Sequence, residues 1–304
     1  MRRTSTGASR IPLLALRAAK ERLTLARPRS LSYAPAVMKS GHLRWRRLKR
    51  HDWQTFPEIP LMSVAPVDKS GQRIRQMFGA IAVWYDFLNH FLSLGIDIWW
   101  RKKTVELVPP QGPSPILDVC TGTGDLAIAY WHAAGHMVPV TGTDFTPEML
   151  DRARVKGRKA RTDETSATLD FIEADTMQLP LSSDTYQIVS VAFGIRNVTD
   201  YKAGVREMVR VCKPGGRVAI LEFSRPTNSV LGKLYLFYFR HVLPKLGQWF
   251  SKSEQSAYNY LPASVLQFPS GEDFARDMTE CGLTQVSCHT FTFGICTLYR
   301  GMKP

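Results

Sequence analysis

The chain has 304 residues, 44% hydrophobic and 22% charged, the composition of an ordinary globular protein. Its net charge of +14 does not mark a nucleic-acid binder, because residues 1–50 hold 14 Lys and Arg against one acid, Glu21, while the rest holds 26 against 25. A basic face on the folded body would support nucleic-acid binding; a basic leader on a near-neutral body does not. The longest apolar runs fall short of the roughly 18 residues that a membrane-spanning helix needs.

Cys120, Cys212, Cys281, Cys288 and Cys296 form no CxxC pair, and no His cluster has metal-ligand spacing, so a reduced protein without a metal site is expected. The leader admits three readings. It is Arg- and Ser-rich and acid-poor, as organellar transit peptides are. It could be a basic arm that touches anionic lipid. It could be an over-extended start, dispensable to the working protein. The composition changes at "MSVAPVDKSGQR", from Met62, which favours the third reading. Residues 1–67 are set apart on this ground from a folded domain at 68–304.

From Arg73 the pattern is helical: Ile74, Met77, Phe78, Ile81, Trp84, Tyr85 and Leu88 recur at three- and four-residue spacing. A turn around Ser93–Gly95 precedes a short helix carrying Trp99 and Trp100, and Pro109–Pro115 is a linker. Residues 73–107 thus read as an N-terminal helical lid. Strands and helices then alternate: strand Ile116–Cys120, helix Thr123–Ala134, strand Met137–Gly142, helix Pro147–Lys159, and strands Leu169–Glu173 and Gln187–Phe193. Helix Tyr201–Cys212 stops at "KPGG", and strand Arg217–Phe223 follows. The alternation predicts an α/β fold, a doubly wound, mostly parallel sheet with helices on both faces.

Residues 230–266 break the alternation with an aromatic insertion, including "LGKLYLFYFRHVLPKLGQWF". Helix Glu272–Cys281 and strands near Gln285–Thr290 and Cys296–Arg300 finish the chain.

The first strand runs into "DVCTGTGDLA", where Gly122, Gly124 and Ala127 fit G-x-G-x-x-A and Asp144 lies 20 residues beyond Gly124. This spacing suits a dinucleotide enzyme of the NAD type. Asp125 argues against it, because a carboxylate at a helix N-terminus repels the pyrophosphate that such an end attracts. S-adenosylmethionine carries an ammonium, a sulfonium and a ribose but no phosphate, and Asp118, Asp125 and Asp144 suit those groups. Asp125 as a plain helix cap is the competing reading. "FIEADTMQLP" puts Asp175 and Thr176 at the end of the third strand, the edge where such sheets bind ligands.

With these residues the chain resembles the class I S-adenosylmethionine methyltransferases, and more narrowly the ubiquinone/menaquinone biosynthesis C-methyltransferase family. "YDFLNHFLSLGIDIWW" and "RVCKPGGRVAILEFS" resemble two family signatures, and "FGIRNVTD" and "YNYLPASV" also look like family stretches. The resemblance covers residues 68–304 and implies a seven-stranded sheet whose last strand is antiparallel. It departs at Asp97, where the family usually has histidine, at Cys212, at Thr176, and at Ala192, where several members have a serine near the cofactor. Carried over, the family implies that Thr123 lies against S-adenosylmethionine in the loop Gly122–Gly124. Asp144 then takes the ribose, and Asp175 with Thr176 the adenine.

The implied reaction methylates a ring carbon of a polyprenylated hydroquinone, demethylmenaquinol foremost, with the ubiquinone-pathway equivalent as the alternative and an NAD-dependent oxidoreductase more distant. Arg196 is expected to stabilise the phenolate oxygen and Asn197 to orient water or the ring hydroxyl, while Tyr85 and Asp86 close over the substrate. The implied partners are the quinol, a membrane surface touched peripherally, and either a homodimer or a quinone-synthesis complex. The implied location is cytoplasmic, at the inner membrane face, or the mitochondrial matrix if the leader is a transit peptide.

Overall fold

The computed structural model describes residues 68–161, 167–226 and 255–304. The leader and most of the aromatic insertion therefore lie outside the described residues. Seven strands form one sheet: β1 Ile116–Val119, β2 Val140–Asp144, β3 Leu169–Glu173, β4 Tyr186–Ala192, β5 Cys212–Phe223, β6 Thr284–Phe291 and β7 Cys296–Met302. Their order is β3-β2-β1-β4-β5-β7-β6. β1 to β5 run parallel, and β7 runs antiparallel to both β5 and β6.

The apolar runs of the sequence follow from this burial. Along β1, Ile116 packs into one core cluster with Tyr130, Trp131, Ile188 and Leu298. Its neighbour Leu117 packs into the opposite one with Val189, Met208 and Phe274. A strand covered on both faces has no solvent side, so its residues read as a continuous apolar stretch.

The described helices are α1 Gly71–Ile81, α2 Tyr85–Leu92, α3 Ile96–Leu107, α4 Asp125–Ala133, α5 Pro147–Ala160, α6 Tyr201–Val211, α7 Gln255–Gln267 and α8 Glu272–Glu280. The lid therefore differs from the single long helix expected over its first half. The chain breaks at residues 82–84, where the Trp84 N–H donates to the Ile81 carbonyl at 2.9 Å. The break lets Ile81 and Ala82 bury against Met149 of α5, with Tyr85 packed beside them. β2 begins at Val140 rather than Met137, because pairing with Ile116 and Leu169 starts there and Met137 stays exposed. β5 begins earlier than expected: "KPGG" lies within the ladder, where the β4–β5 register shifts between Tyr186 and Ile188.

The ends of β1 and β4 approach closely. A Cβ added at Gly194 would lie 2.3 Å from Cys120 Cβ, a distance no packing accommodates without backbone movement. Gly194→Ala is therefore expected to destabilise the fold by about 1–3 kcal/mol, the usual cost of overpacking, read by urea denaturation. An unchanged midpoint would contradict the tight approach.

Candidate active site

The site is built at the carboxyl edge of β1, β2, β3 and β4. A cleft of about 740 Å³, its open mouth included, is lined there by Tyr85, Gly122, Asp144, Asp175, Thr176, Ala192 and Asn197 among others. A smaller recess of about 310 Å³ adjoins it and shares Tyr85, Cys120, Gly122 and Ala192. The recess adds Arg101, Asp118, Thr121, Thr123, Asp125 and Leu126. Two non-glycine residues at the strand ends, Cys120 (φ 47°) and Phe193 (φ 60°), hold left-handed backbone angles. Such strain persists where surrounding structure enforces it, and it concentrates at functional sites.

Gly124 (φ 87°) begins α4, and a side chain there would meet the Phe171 ring at 2.9 Å. Only glycine satisfies both the backbone angle and the space. The loop before it is fixed by Asp144, whose Oδ2 accepts the Gly122 N–H at 2.8 Å and whose Oδ1 accepts the Thr146 N–H at 2.9 Å. Burial raises the Asp144 carboxyl above its usual range, while these backbone donors oppose the rise. Each oxygen keeps acceptor capacity for a vicinal diol.

Asp175 Oδ1 accepts the Met177 N–H at 2.8 Å, which fixes the turn after β3. Thr176 is buried, with its hydroxyl 3.2 Å from Cys120 Sγ.

Asp118 is buried in the recess, accepting from the Thr121 hydroxyl at 2.6 Å and the Ser190 hydroxyl at 2.7 Å. Burial pushes its carboxyl up to about 7, although both hydroxyls favour the ionised form. Arg101, missed by the sequence reading, lines the same recess; its Nη1 donates to Asp97 Oδ2 at 2.6 Å. Asp97 also accepts from the Ser93 hydroxyl at 2.6 Å and lies 2.9 Å from His90 Nδ1. The residue that departs from the family pattern thus anchors α2 to α3.

Two of the residues expected at the substrate lie outside the cleft lining. Arg196 does not line the cleft. It sits in the 3-10 turn Ile195–Asn197, buried, with Nη1 donating to Glu222 Oε1 at 2.8 Å and to the Phe193 carbonyl. The carboxylate of Glu222, fully buried at the end of β5, draws the guanidinium behind the cleft wall.

Asp86 does not line the cleft either. Its Oδ1 accepts from the Thr123 hydroxyl at 2.5 Å and its Oδ2 from Lys156 Nζ at 2.9 Å. Asn197 does line the cleft, and among the described residues its Oδ1 is buried without a hydrogen-bond partner.

Glu222 and Lys69 were also missed. An acid in the apolar strand "VAILEF" was a legible sign that a buried cation must meet it. Lys69 lines the cleft ahead of α1; burial, then the positive charge of Arg196, lowers its ammonium below the usual lysine range.

The sheet order and the acid-bearing edge define a class I methyltransferase fold. A methyltransferase of Thermotoga maritima, described as S-adenosylmethionine-dependent, shares that fold at a TM-score of 0.52 and 17% identity, covering 76% of this chain and 100% of its own. The sequence matches the model of the ubiE/COQ5 methyltransferase family over residues 67–303, and the chain belongs to that family.

It is 45% identical over 237 residues to a Geobacter protein named ubiquinone/menaquinone biosynthesis C-methyltransferase UbiE, covering 78% of this chain and 99% of the relative. It is 43% identical to a demethylmenaquinone methyltransferase of Chlorobaculum tepidum, covering 77% and 94%.

Proposed function

We propose that this protein transfers a methyl group from S-adenosylmethionine to a ring carbon of a polyprenylated hydroquinone in quinone biosynthesis, with demethylmenaquinol as the substrate and the ubiquinone-pathway benzoquinol as the alternative. The observation that carries the reading is the family match across the folded body, joined to one cleft lined by Asp144, Asp175, Thr176 and Asn197.

The residues fit the methyl donor by their chemistry. Asp144 suits the ribose diol, and Asp175 with Thr176 suits the adenine. Gly122 and Ala192 line both the cleft and the recess, and Thr123 lines the recess, beside Gly124. Asp118 and Arg101 offer one anion and one cation to an amino-acid end. When bound, the donor supplies a methyl group activated by a sulfonium.

The remaining work falls to the chain. A ring carbon becomes nucleophilic as the neighbouring hydroxyl loses its proton. Asn197 Oδ1 can accept a hydrogen bond from that hydroxyl or from a water. Lys69 Nζ, with its lowered affinity for a proton, is the cleft group best suited to exchange one there. Arg196 acts from behind the wall: it fixes the Phe193 carbonyl and adds positive charge near the ring. Tyr85 closes the cleft from the lid.

Peripheral membrane contact at the cytoplasmic face belongs to the same proposal, since a polyprenylated substrate resides in a bilayer; the matrix face applies if the leader is a transit peptide. The lid supports it by exposing Trp84, Leu94, Ile98 and Trp99. Among the described residues no helix is long and apolar enough to cross a membrane.

The test is mass spectrometry of the quinone pool in cells lacking the protein. Accumulation of demethylmenaquinone is expected; accumulation of the demethylated benzoquinone selects the alternative, and an unchanged pool contradicts both. A pH effect follows from Asp118. Its carboxylate attracts an ammonium only when ionised, so affinity for S-adenosylmethionine should fall as pH drops through about 7 and level off above it. Titration calorimetry between acidic and alkaline buffers reads this, and a flat profile would contradict the role of Asp118.

A further inference from the structure

Four side chains from four segments meet beside the recess. Asp86 opens α2 of the lid, Thr123 lies in the glycine loop, Asp125 opens α4, and Lys156 projects from α5. Lys156 Nζ donates to Asp86 Oδ2 at 2.9 Å, to Thr123 Oγ1 at 3.2 Å and to Asp125 Oδ1. Thr123 in turn donates to Asp86 Oδ1 at 2.5 Å. Burial alone would raise the Asp125 carboxyl, but Arg101 and Lys156 hold it below its usual range. One ammonium therefore serves two carboxylates that would otherwise repel each other, and one of them belongs to the lid.

The consequence reaches the cleft through the residue beside Asp86. Tyr85 lines both the cleft and the recess, and its ring lies over the glycine loop, 3.8 Å from where a Cβ on Gly122 would be. With the lid turned away, Tyr85 would leave this place and open the recess to water. With Asp86 clamped, Tyr85 is held over it.

We infer that Lys156 is a positioning residue: it latches the lid helix to the glycine loop through Asp86 and Thr123, and so holds Tyr85 over the bound methyl donor. The same contact gives Asp125 a fixed partner within the chain, so this acid positions Lys156 rather than waiting for a ligand cation. The latch rests on the proposed reading only for the identity of that ligand. The three charged groups are each partly exposed, with side-chain exposures of 29%, 34% and 25% for Lys156, Asp86 and Asp125. The clamp is accordingly modest and reversible.

The test compares the full-length protein with its Lys156→Met, Lys156→Arg, Asp86→Asn and Asp86→Asn/Lys156→Met variants. Two readouts are used: titration calorimetry with S-adenosylhomocysteine, and hydrogen exchange over residues 83–92. Lys156→Met should bind about tenfold more weakly, a difference of roughly 1.4 kcal/mol. It should exchange faster in α2 while the amides of β1 and β4 stay protected. Lys156→Arg should recover most of the affinity, and the double variant should bind no more weakly than Lys156→Met, because both changes open one clamp.

Wild-type affinity and α2 protection in Lys156→Met would overturn the latch. So would additive losses in the double variant. If Lys156→Met fails to fold, Asp86→Asn and Lys156→Arg decide by the same two readouts. If the wild-type protein binds no S-adenosylhomocysteine, the reading of the cleft fails, and α2 exchange alone still decides the latch.

Discussion

Arg196→Met is expected to lower the unfolding free energy by about 3–5 kcal/mol, the usual result of removing one member of a buried ion pair. The pair is almost fully withdrawn from solvent, with side-chain exposures of 6% for Arg196 and 0% for Glu222. The loss leaves Glu222 charged and buried, with the backbone N–H groups of Phe223 (2.9 Å) and Arg196 (3.4 Å) as its remaining hydrogen-bond donors among the described residues. The stability of the double variant Arg196→Met/Glu222→Gln should recover in large part, because a neutral amide no longer requires a cation. Its methyl transfer should not recover, since the charge behind the cleft wall stays missing. Chemical denaturation of the two variants reads the first statement and turnover reads the second. Equal destabilisation of single and double variants would show that the pair is not what holds this corner together.

The larger effect on activity is expected from Asn197→Ala. Asn197 lines the cleft, and among the described residues its buried Oδ1 has no hydrogen-bond partner. Buried polar atoms are nearly always paired, so an unpaired one on a cleft wall is suited to a ligand or a water. Removing the amide should lower kcat by about 10²–10³, the range seen when one preorganised transition-state hydrogen bond is lost. Affinity for S-adenosylhomocysteine should be little changed, because Asp144, Asp175 and Thr176 remain in place. An equal loss of donor binding would mean that Asn197 holds the cofactor end instead.

The strands were legible because both sheet faces are buried. Ile116–Leu117, Ile188–Val189 and Val218–Leu221 give these strands their apolar character, and the β3 boundaries Leu169–Glu173 needed no adjustment. The glycine loop was legible because glycine at a positive φ is a backbone requirement written directly in the residue type. The lid break at residues 82–84 was not, since helical periodicity continues across it and the bend is matched to packing against Met149, which lies far along the chain in α5.

The ion pairs were the least legible part. Asp86 and Lys156 stand 70 residues apart, and Arg196 and Glu222 stand 26 apart. Pairing of this kind is decided by packing and leaves no periodic trace. A polar residue at a strand end can be recognised as having a task, but the sequence does not say whether it lines the cleft, as Asn197 does, or pairs behind its wall, as Arg196 does.

The most direct measurement is methyl transfer by the purified protein from S-adenosylmethionine, isotopically labelled in its methyl group, to reduced demethylmenaquinone, with the product resolved by mass spectrometry. The expected result is label on the ring carbon in the wild-type protein and little label with Asn197→Ala. Label on a ring oxygen, or no label from a protein that binds S-adenosylhomocysteine, would contradict the proposed C-methylation of that quinol.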